Sequence, residues 1–443
     1  MNEKLEISPK PSALLKFALP TIIGQVFSNI YSIIDGLFVT NLIGTDALSA
    51  VNIVMPFLMI ITALGFMVGT GGSAYISRQI GEGKQREARE NFSMLMIFCV
   101  GICAVFSVAG IVFRTPVLRL LGADELLYPL CEQYAVPLFA IIPFAAFSIL
   151  FQMFFVTEGR PSLGMSVSVL GGVTNIFLDY LFLKHFKMGI SGAALATGIG
   201  YAIPSVIGLW YFVIRRRGSL YFVKPRFRIR VLFQMAGNGA SEMVNMISGS
   251  ISTIVINNIV MGLAGSDGVA AVTIIFYVQA LLSSIFTGYS AGVAPLTAYR
   301  FGQSDDEKLA QMHRINKRLI ILSALTATIL CYALAEPLIS IFSNNNIEVA
   351  GMAVTGMYIF APGLVFMGIN MYASSFFTAL SDGKTSAILS FFRTLVFTVV
   401  LLLILPPILR LTGMWIALPL AEILSTFMTI YYFKAKKGVY HYG

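Results

Sequence analysis

Asp35, Asp179, Glu242, Arg393 and Glu422 all fall inside long apolar runs of this chain, and Asn175 stands four residues before Asp179. On a helix that spacing puts Asn175 and Asp179 on one face, about one turn apart. A carboxylate beside an amide oxygen suits a hard cation, and a hydroxyl and a second carboxylate from other helices would complete its shell. A buried aspartate can also take up and release a proton as a cavity opens to each side. Either chemistry moves a small cation, and the residues permit Na+ or H+. An ionised side chain costs about 3 kcal/mol near the centre of a membrane helix, so such groups normally face a water-filled cavity or a partner. Glu422 and Arg393 can equally be structural, pairing with acids or carbonyls of their own half. Pro20, fifteen residues before Asp35, removes a backbone hydrogen bond from its helix. It permits a bend that would carry Asp35 with it, or a static kink with no role in movement.

The elements that hold these residues follow from composition. Of 443 residues, 57% are apolar and 12% charged, with a mean hydropathy of +0.82. Soluble domains carry about 25% charged residues, so a water-facing surface cannot be built from this chain, and disorder is excluded for the same reason. Twelve apolar segments of membrane-crossing length fall near 14–40, 51–77, 92–113, 129–156, 162–183, 190–214, 231–261, 270–298, 318–335, 350–379, 386–408 and 414–433. The expected fold class is an all-α polytopic membrane protein.

Sorting the 30 basic residues by side puts 24 on the loops and tails that share a side with the N-terminus, and five, Arg114, Arg119, Lys184, Lys187 and Arg410, opposite. The positive-inside rule then places both termini in the cytoplasm. The net charge of +9 describes that face and its lipid contacts, so no nucleic acid is implied. The run from Leu14 is too long for a cleaved signal sequence. Cys99, Cys103, Cys131 and Cys331 read as small apolar filler. His185, His313 and His441 fall in expected loops or the tail, and no Gly-x-Ser-x-Gly or His-Glu-x-x-His stretch is present. An enzyme is therefore not expected.

The stretch Gly44 to Val51 recurs as Gly265 to Val272, 221 residues later, and Gly71 and Gly81 meet Gly292 and Gly302 at the same offset. Phe154-Phe155 reappears as Phe376-Phe377 and Gly159 as Gly383. The chain therefore divides into a six-span lobe at 1–217 and another at 218–443, joined by a basic linker. Both lobes enter the membrane from one side, which suits alternating access around a site between or within them better than a channel. Among 35 Phe, 20 Met and 18 Tyr, some should line a cavity for bulky apolar cations.

Asn175 to Leu183, followed by Met188-Gly189-Ile190-Ser191-Gly192 and on to Thr197, resembles the fifth-to-sixth helix signature of the multidrug and toxic compound extrusion (MATE) transporters. The resemblance extends over the whole chain. It implies a V-shaped pair of six-helix lobes, a monomer in the cell membrane with lipids around it and no cofactor, exporting organic cations and drugs in exchange for Na+ or H+. In the branch whose cation site lies in the N-terminal lobe, the coupling residues match Asp35, Asn175, Asp179 and Thr197, and the first-helix proline matches Pro20. Another branch uses C-terminal-lobe carboxylates. Glu242 comes too early for its seventh-helix acid, and with Arg393 and Glu422 it is left as a further intramembrane charge. The alternative from the wider superfamily is a flippase or exporter of lipid-linked saccharides. It would want a cationic cavity, whereas the intramembrane charges are four acids against Arg393.

Overall fold

The computed structural model describes residues 5–216, 218–342 and 346–443, so Lys4 and Arg217 of the basic tally lie outside the described residues. The first half runs α1 (Pro11–Leu42), α2 (Thr45–Gly81), α3 (Gln85–Val112), the short α4 (Arg114–Leu120), α5 (Tyr128–Thr157), α6 (Pro161–Asp179), a π-helical turn (Tyr180–His185) and α7 (Ile190–Ile214). The second runs α8 (Ile229–Asn238), α9 (Ala240–Gly302), α10 (Asp306–Phe342), α11 (Ile347–Phe360), α12 (Gly363–Ala379), α13 (Gly383–Phe391), a second π-helical turn (Phe392–Phe397), α14 (Thr398–Ala435) and α15 (Lys437–Tyr440). The described residues form no strand.

Among the described residues nine helices are long and apolar enough to cross a membrane, and α11 with α12, bent by 57°, makes a tenth crossing. Two of the nine hold two crossings each. The 63 residues of α9 would reach roughly 95 Å as one rod, about three times a bilayer core. Instead α9 breaks at Gly265 (φ 60°, ψ −153°) and α14 at Arg410 (φ 52°, ψ −135°). The described residues thus form the twelve membrane-length legs that hydropathy predicts, six in each half.

Two boundaries differ from the sequence reading. The segment near 231–261 opens with α8, a separate helix on the surface side of Gly239, because that glycine's backbone (φ −95°, ψ 7°) is not helical. His313 lies in α10, not a loop. That helix starts at Asp306, twelve residues ahead of the apolar run, and the imidazole is buried against Phe376, Phe433 and Tyr442. All four cysteines are free and buried.

Each half has its own apolar core. Phe92, Phe151, Phe154, Phe155 and Phe212 pack together in the first, and Phe286, Phe360, Phe377 and Trp415 in the second. Between the halves, α1 and α2 lie along the 266–302 leg of α9, in contacts that exclude side chains. A Cβ on Gly81 would collide with the Tyr299 carbonyl, and one on Gly302 with the Arg78 carbonyl. Those four residues are two pairs at the 221-residue offset, so the molecule makes one contact twice, on either side of a pseudo-two-fold axis. The same holds for Gly71 against Gly239 and Gly292 against Ala18. Ala74, Ala298 and Ala379 fill the seam between them.

The basic linker is strapped to the first half. Glu158 accepts from the backbone N–H groups of Ser219 and Leu220, both at 2.9 Å, and Ser93 accepts from Val223 N–H at 2.9 Å. Arg89 donates to the Ser219 carbonyl at 2.9 Å and lies over the Tyr221 ring, 4.1 Å from its centroid.

Candidate functional site

Glycines decide how closely the helices that carry the first-half polar residues approach. A Cβ on Gly171 of α6 would sit 2.6 Å from the Gly200 carbonyl of α7, and one on Gly172 would sit 2.6 Å from Phe27 of α1. With that clearance, α1, α6 and α7 pack as a triple. Asn175 lies beside Gly200, and Asp179 faces α1.

The three helices, with α2 and α5, enclose a cavity of about 410 Å3 lined by Asp35, Asn175 and Thr197 together with Asn29, Ser32 and Tyr201. Met246 of α9 reaches the same space. Asp179 stands behind the lining, fully buried, with its carboxyl beside that of Asp35. Asp35 Oδ1, both Asp179 oxygens and both polar atoms of the Asn175 amide are buried without a well-formed hydrogen bond. No Lys or Arg forms an ion pair with either aspartate among the described residues. Two carboxylates side by side with no basic residue between them repel unless a proton or a cation joins them. The oxygens of Asp35, Asp179, Asn175 and Thr197 are hard donors, the type that binds Na+.

Tyr31, Tyr134 and Tyr201 were not singled out from the sequence. Tyr31 and Tyr201 hydrogen-bond one another, and Tyr134 is buried near both acids. Helical spacing offered a signal for two of them: Tyr31 precedes Asp35 by four residues and Tyr201 follows Thr197 by four. Pro20 lies within α1, which runs helical on both sides of it, near the α9 seam and well away from the carboxyl pair.

The second half treats its charges differently. Arg393 Nε donates to Glu422 Oε1 at 3.0 Å, and Asn370 Nδ2 donates to Glu422 Oε2 at 2.8 Å. Thr426 and Thr429 then donate to Asn370 Oδ1 at 3.2 and 2.9 Å. Arg393 and Glu422 are therefore partners, and Glu422 has no unmet acceptor. Asn370, Thr426 and Thr429 were also missed, although Glu422, Thr426 and Thr429 share one helical face. Glu242 stays apart. It lies on the 240–264 leg of α9, lining a different cavity between the halves, and forms no ion pair among the described residues.

A profile of MatE proteins matches the chain twice, at residues 20–181 and 243–404. The chain belongs to the MatE family. One match falls in each half, as the internal repeat requires. Similar proteins include the multidrug export protein MepA of Staphylococcus saprophyticus, 26% identical over 413 residues, which cover 92% of this chain and 90% of that one. MepA of Staphylococcus aureus is 24% identical over 430 residues, covering 94% and 92%. Among solved structures, a MATE protein in complex with MaL6 matches with a TM-score of 0.93 at 23% identity, over 99% of this chain and 98% of that one. A MOP superfamily transporter from Pyrococcus furiosus matches at 0.91 and 22% identity, over the same shares. These structures share the fold. As a MatE protein the chain is a multi-pass membrane transporter and not an enzyme.

Proposed function

We propose that this MatE protein exports organic cations and drugs from the cytoplasm in exchange for Na+ or H+, by alternating access of two lobes at 1–217 and 218–443. The observation that carries the reading is the Asp35–Asp179 pair, buried side by side with no Lys or Arg paired to it among the described residues. A bound Na+ or a proton removes the repulsion between the two carboxyls, so the pair is stable in one loaded state and in one hydrated, emptied state. Asn175 and Thr197 supply neutral oxygens for the cation. Pro20 weakens the α1 ladder where that helix meets the other lobe, and Asp35 lies further along the same helix, so a change at the pair can be passed to the seam. Both termini face the cytoplasm in this scheme, and the basic end of the molecule is the cytoplasmic end. The similar MepA proteins, named for multidrug export, support the class of cargo.

The test is reconstitution in liposomes, following export of a fluorescent organic cation driven by an imposed Na+ gradient or, separately, a pH gradient. One of the two gradients is expected to drive export. Asp35→Asn and Asp179→Asn should each lower the driven rate at least about tenfold while the protein stays monodisperse. Wild-type rates in both variants would overturn the site.

A further inference from the structure

Several cations on the basic end of the molecule are matched to acids. Arg78 and Lys84 share Glu82, Arg86 and Arg228 share Glu90, and Arg300 and Lys308 share Asp305. One corner of the second half gathers cations without them. Arg314 is followed on α10 by Lys317 and Arg318, three and four residues on and so on the same face. Lys434 and Lys437 stand at the join of α14 and α15. None of these five forms an ion pair among the described residues. Asp382, the acid beside Tyr440 of α15, is already held by the Thr385 N–H at 3.1 Å, the Thr385 hydroxyl at 2.7 Å and Lys436 at 3.4 Å.

The chain end folds across α10 and makes the corner. The rings of Phe433 and Tyr442 each lie 5.0 Å from that of His313, and the Tyr442 hydroxyl donates to the Phe433 carbonyl at 2.9 Å. On this aromatic floor Lys317 is half-buried, its Nζ 5.8 Å from the Phe433 ring centroid. The neighbouring charges it feels, Lys437 and Arg314, have its own sign. Like charges so gathered repel, and a shared anion removes the repulsion. The apolar run of α10 begins at 318 and that of α14 ends at 433, which sets the corner at the membrane–water boundary, the depth of phospholipid phosphates. Past Arg318 the same face of α10 continues as Leu322, Leu325 and Ile329, all exposed. A basic head over an apolar stripe has the outline of a lipid, which a site for soluble phosphate would not need.

We infer that this corner binds an anionic glycerophospholipid, its phosphate held by Arg314, Lys317 and Lys437 and its acyl chains laid along Leu322, Leu325 and Ile329. The site shares no residue with the cavities described above and stands whether or not the chain exchanges cations for cargo. Each Lys or Arg beside an anionic lipid strengthens binding about fivefold, so charge decides which headgroup is kept. The site also adjoins the seam between the halves. α15 carries Tyr440, whose ring centroid is 5.8 Å from that of Phe301, and Arg78 of the first half lies over the Phe301 ring at 5.0 Å.

The experiment titrates the purified full chain in detergent with phosphatidylglycerol or with phosphatidylcholine of the same acyl chains, and reads the first bound lipid by native mass spectrometry. Phosphatidylglycerol is expected to bind at least about tenfold more tightly. The triple variant Arg314→Gln, Lys317→Gln, Lys437→Gln should lose that preference. The triple variant Arg216→Gln, Lys224→Gln, Arg226→Gln removes equal charge from exposed positions of the linker and should keep the preference within about twofold. Lys437→Gln alone, on an exposed turn, should lower it about threefold or more and serves where the first triple variant does not fold. Glycerol phosphate, which has the headgroup phosphate and no chains, should bind at least about tenfold more weakly than the lipid. The proposal is overturned by no preference for phosphatidylglycerol, by an unchanged preference in Lys437→Gln, by an equal fall in both triple variants, or by glycerol phosphate binding as tightly as the lipid. A failed export reading would appear instead as no gradient-driven efflux, with the lipid preference intact.

Discussion

Glu422 has Arg393 at 3.0 Å and Asn370 at 2.8 Å, whereas Asp35 and Asp179 have one another. The contrast separates a carboxylate that the fold has paired with a basic residue from two that it has not. Removing the charge of Glu422 alone leaves Arg393 buried without a counter-charge, and such a loss costs about 3 kcal/mol. Glu422→Gln is therefore expected to lower thermal stability in detergent by several degrees, and adding Arg393→Gln should recover most of it. Asp179→Asn should do the reverse and leave stability equal or higher, because it removes a repulsion. A drop in stability for Asp179→Asn as large as that for Glu422→Gln would show that the two acids have the same structural task. Asp35, Asp179 and Asn175 were legible because a charge in an apolar run is conspicuous and the four-residue spacing has one helical meaning. Tyr31, Tyr134 and Tyr201 were not, because a tyrosine in such a run is ordinary and only packing separates a cavity wall from a lipid-facing ring.

Among the elements, hydropathy found all the membrane-length legs, since the bilayer demands apolar length and little else. It could not find the π-helical turns at Tyr180–His185 and Phe392–Phe397, which depend on what packs against each helix. One turn follows directly on Asp179 and the other contains Arg393, so in both halves the wider winding adjoins a buried charge, a place where such turns often occur. The start of α10 was illegible for the opposite reason. Its first turns are polar, lie beyond the apolar run and read as loop, which misplaced His313. The break in α14 carries its own test. Arg410 holds φ 52° and ψ −135°, close to the φ 61° and ψ −153° of Gly189, its counterpart at the 221-residue offset. A side chain there is strained by about 1 kcal/mol or more. Arg410→Gly should raise Tm by about 2 °C, and a fall in Tm in a detergent melt would contradict the strain.

At the scale of the whole molecule, the halves meet backbone to backbone. Gly81 lies on the Tyr299 carbonyl and Gly302 on the Arg78 carbonyl, and there is no flexible side chain to give way. Gly81→Ala and Gly302→Ala should each force the basic ends apart and, because the two contacts are equivalent, by similar amounts. Spin labels at Arg86 and Lys308, both exposed and on opposite halves, would report longer distances in both variants. A distance distribution like that of the parent protein in either one would sink the idea. The repeat was visible in the sequence as matched glycines at a fixed offset, but sequence alone could not show that each glycine packs on the partner of the other.

The linker has a bearing on that movement. With Ser219, Leu220 and Val223 tied to Glu158 and Ser93, and Gly239 packed on Gly71, the connection between the halves is held to the first half at both of its ends. A short tether at one edge and a pair of equal contacts astride the axis leave no weaker side to open first. In the proposed alternating-access cycle such an end would act as a two-point latch that releases as a unit, with no separate contact to hold a half-released state open.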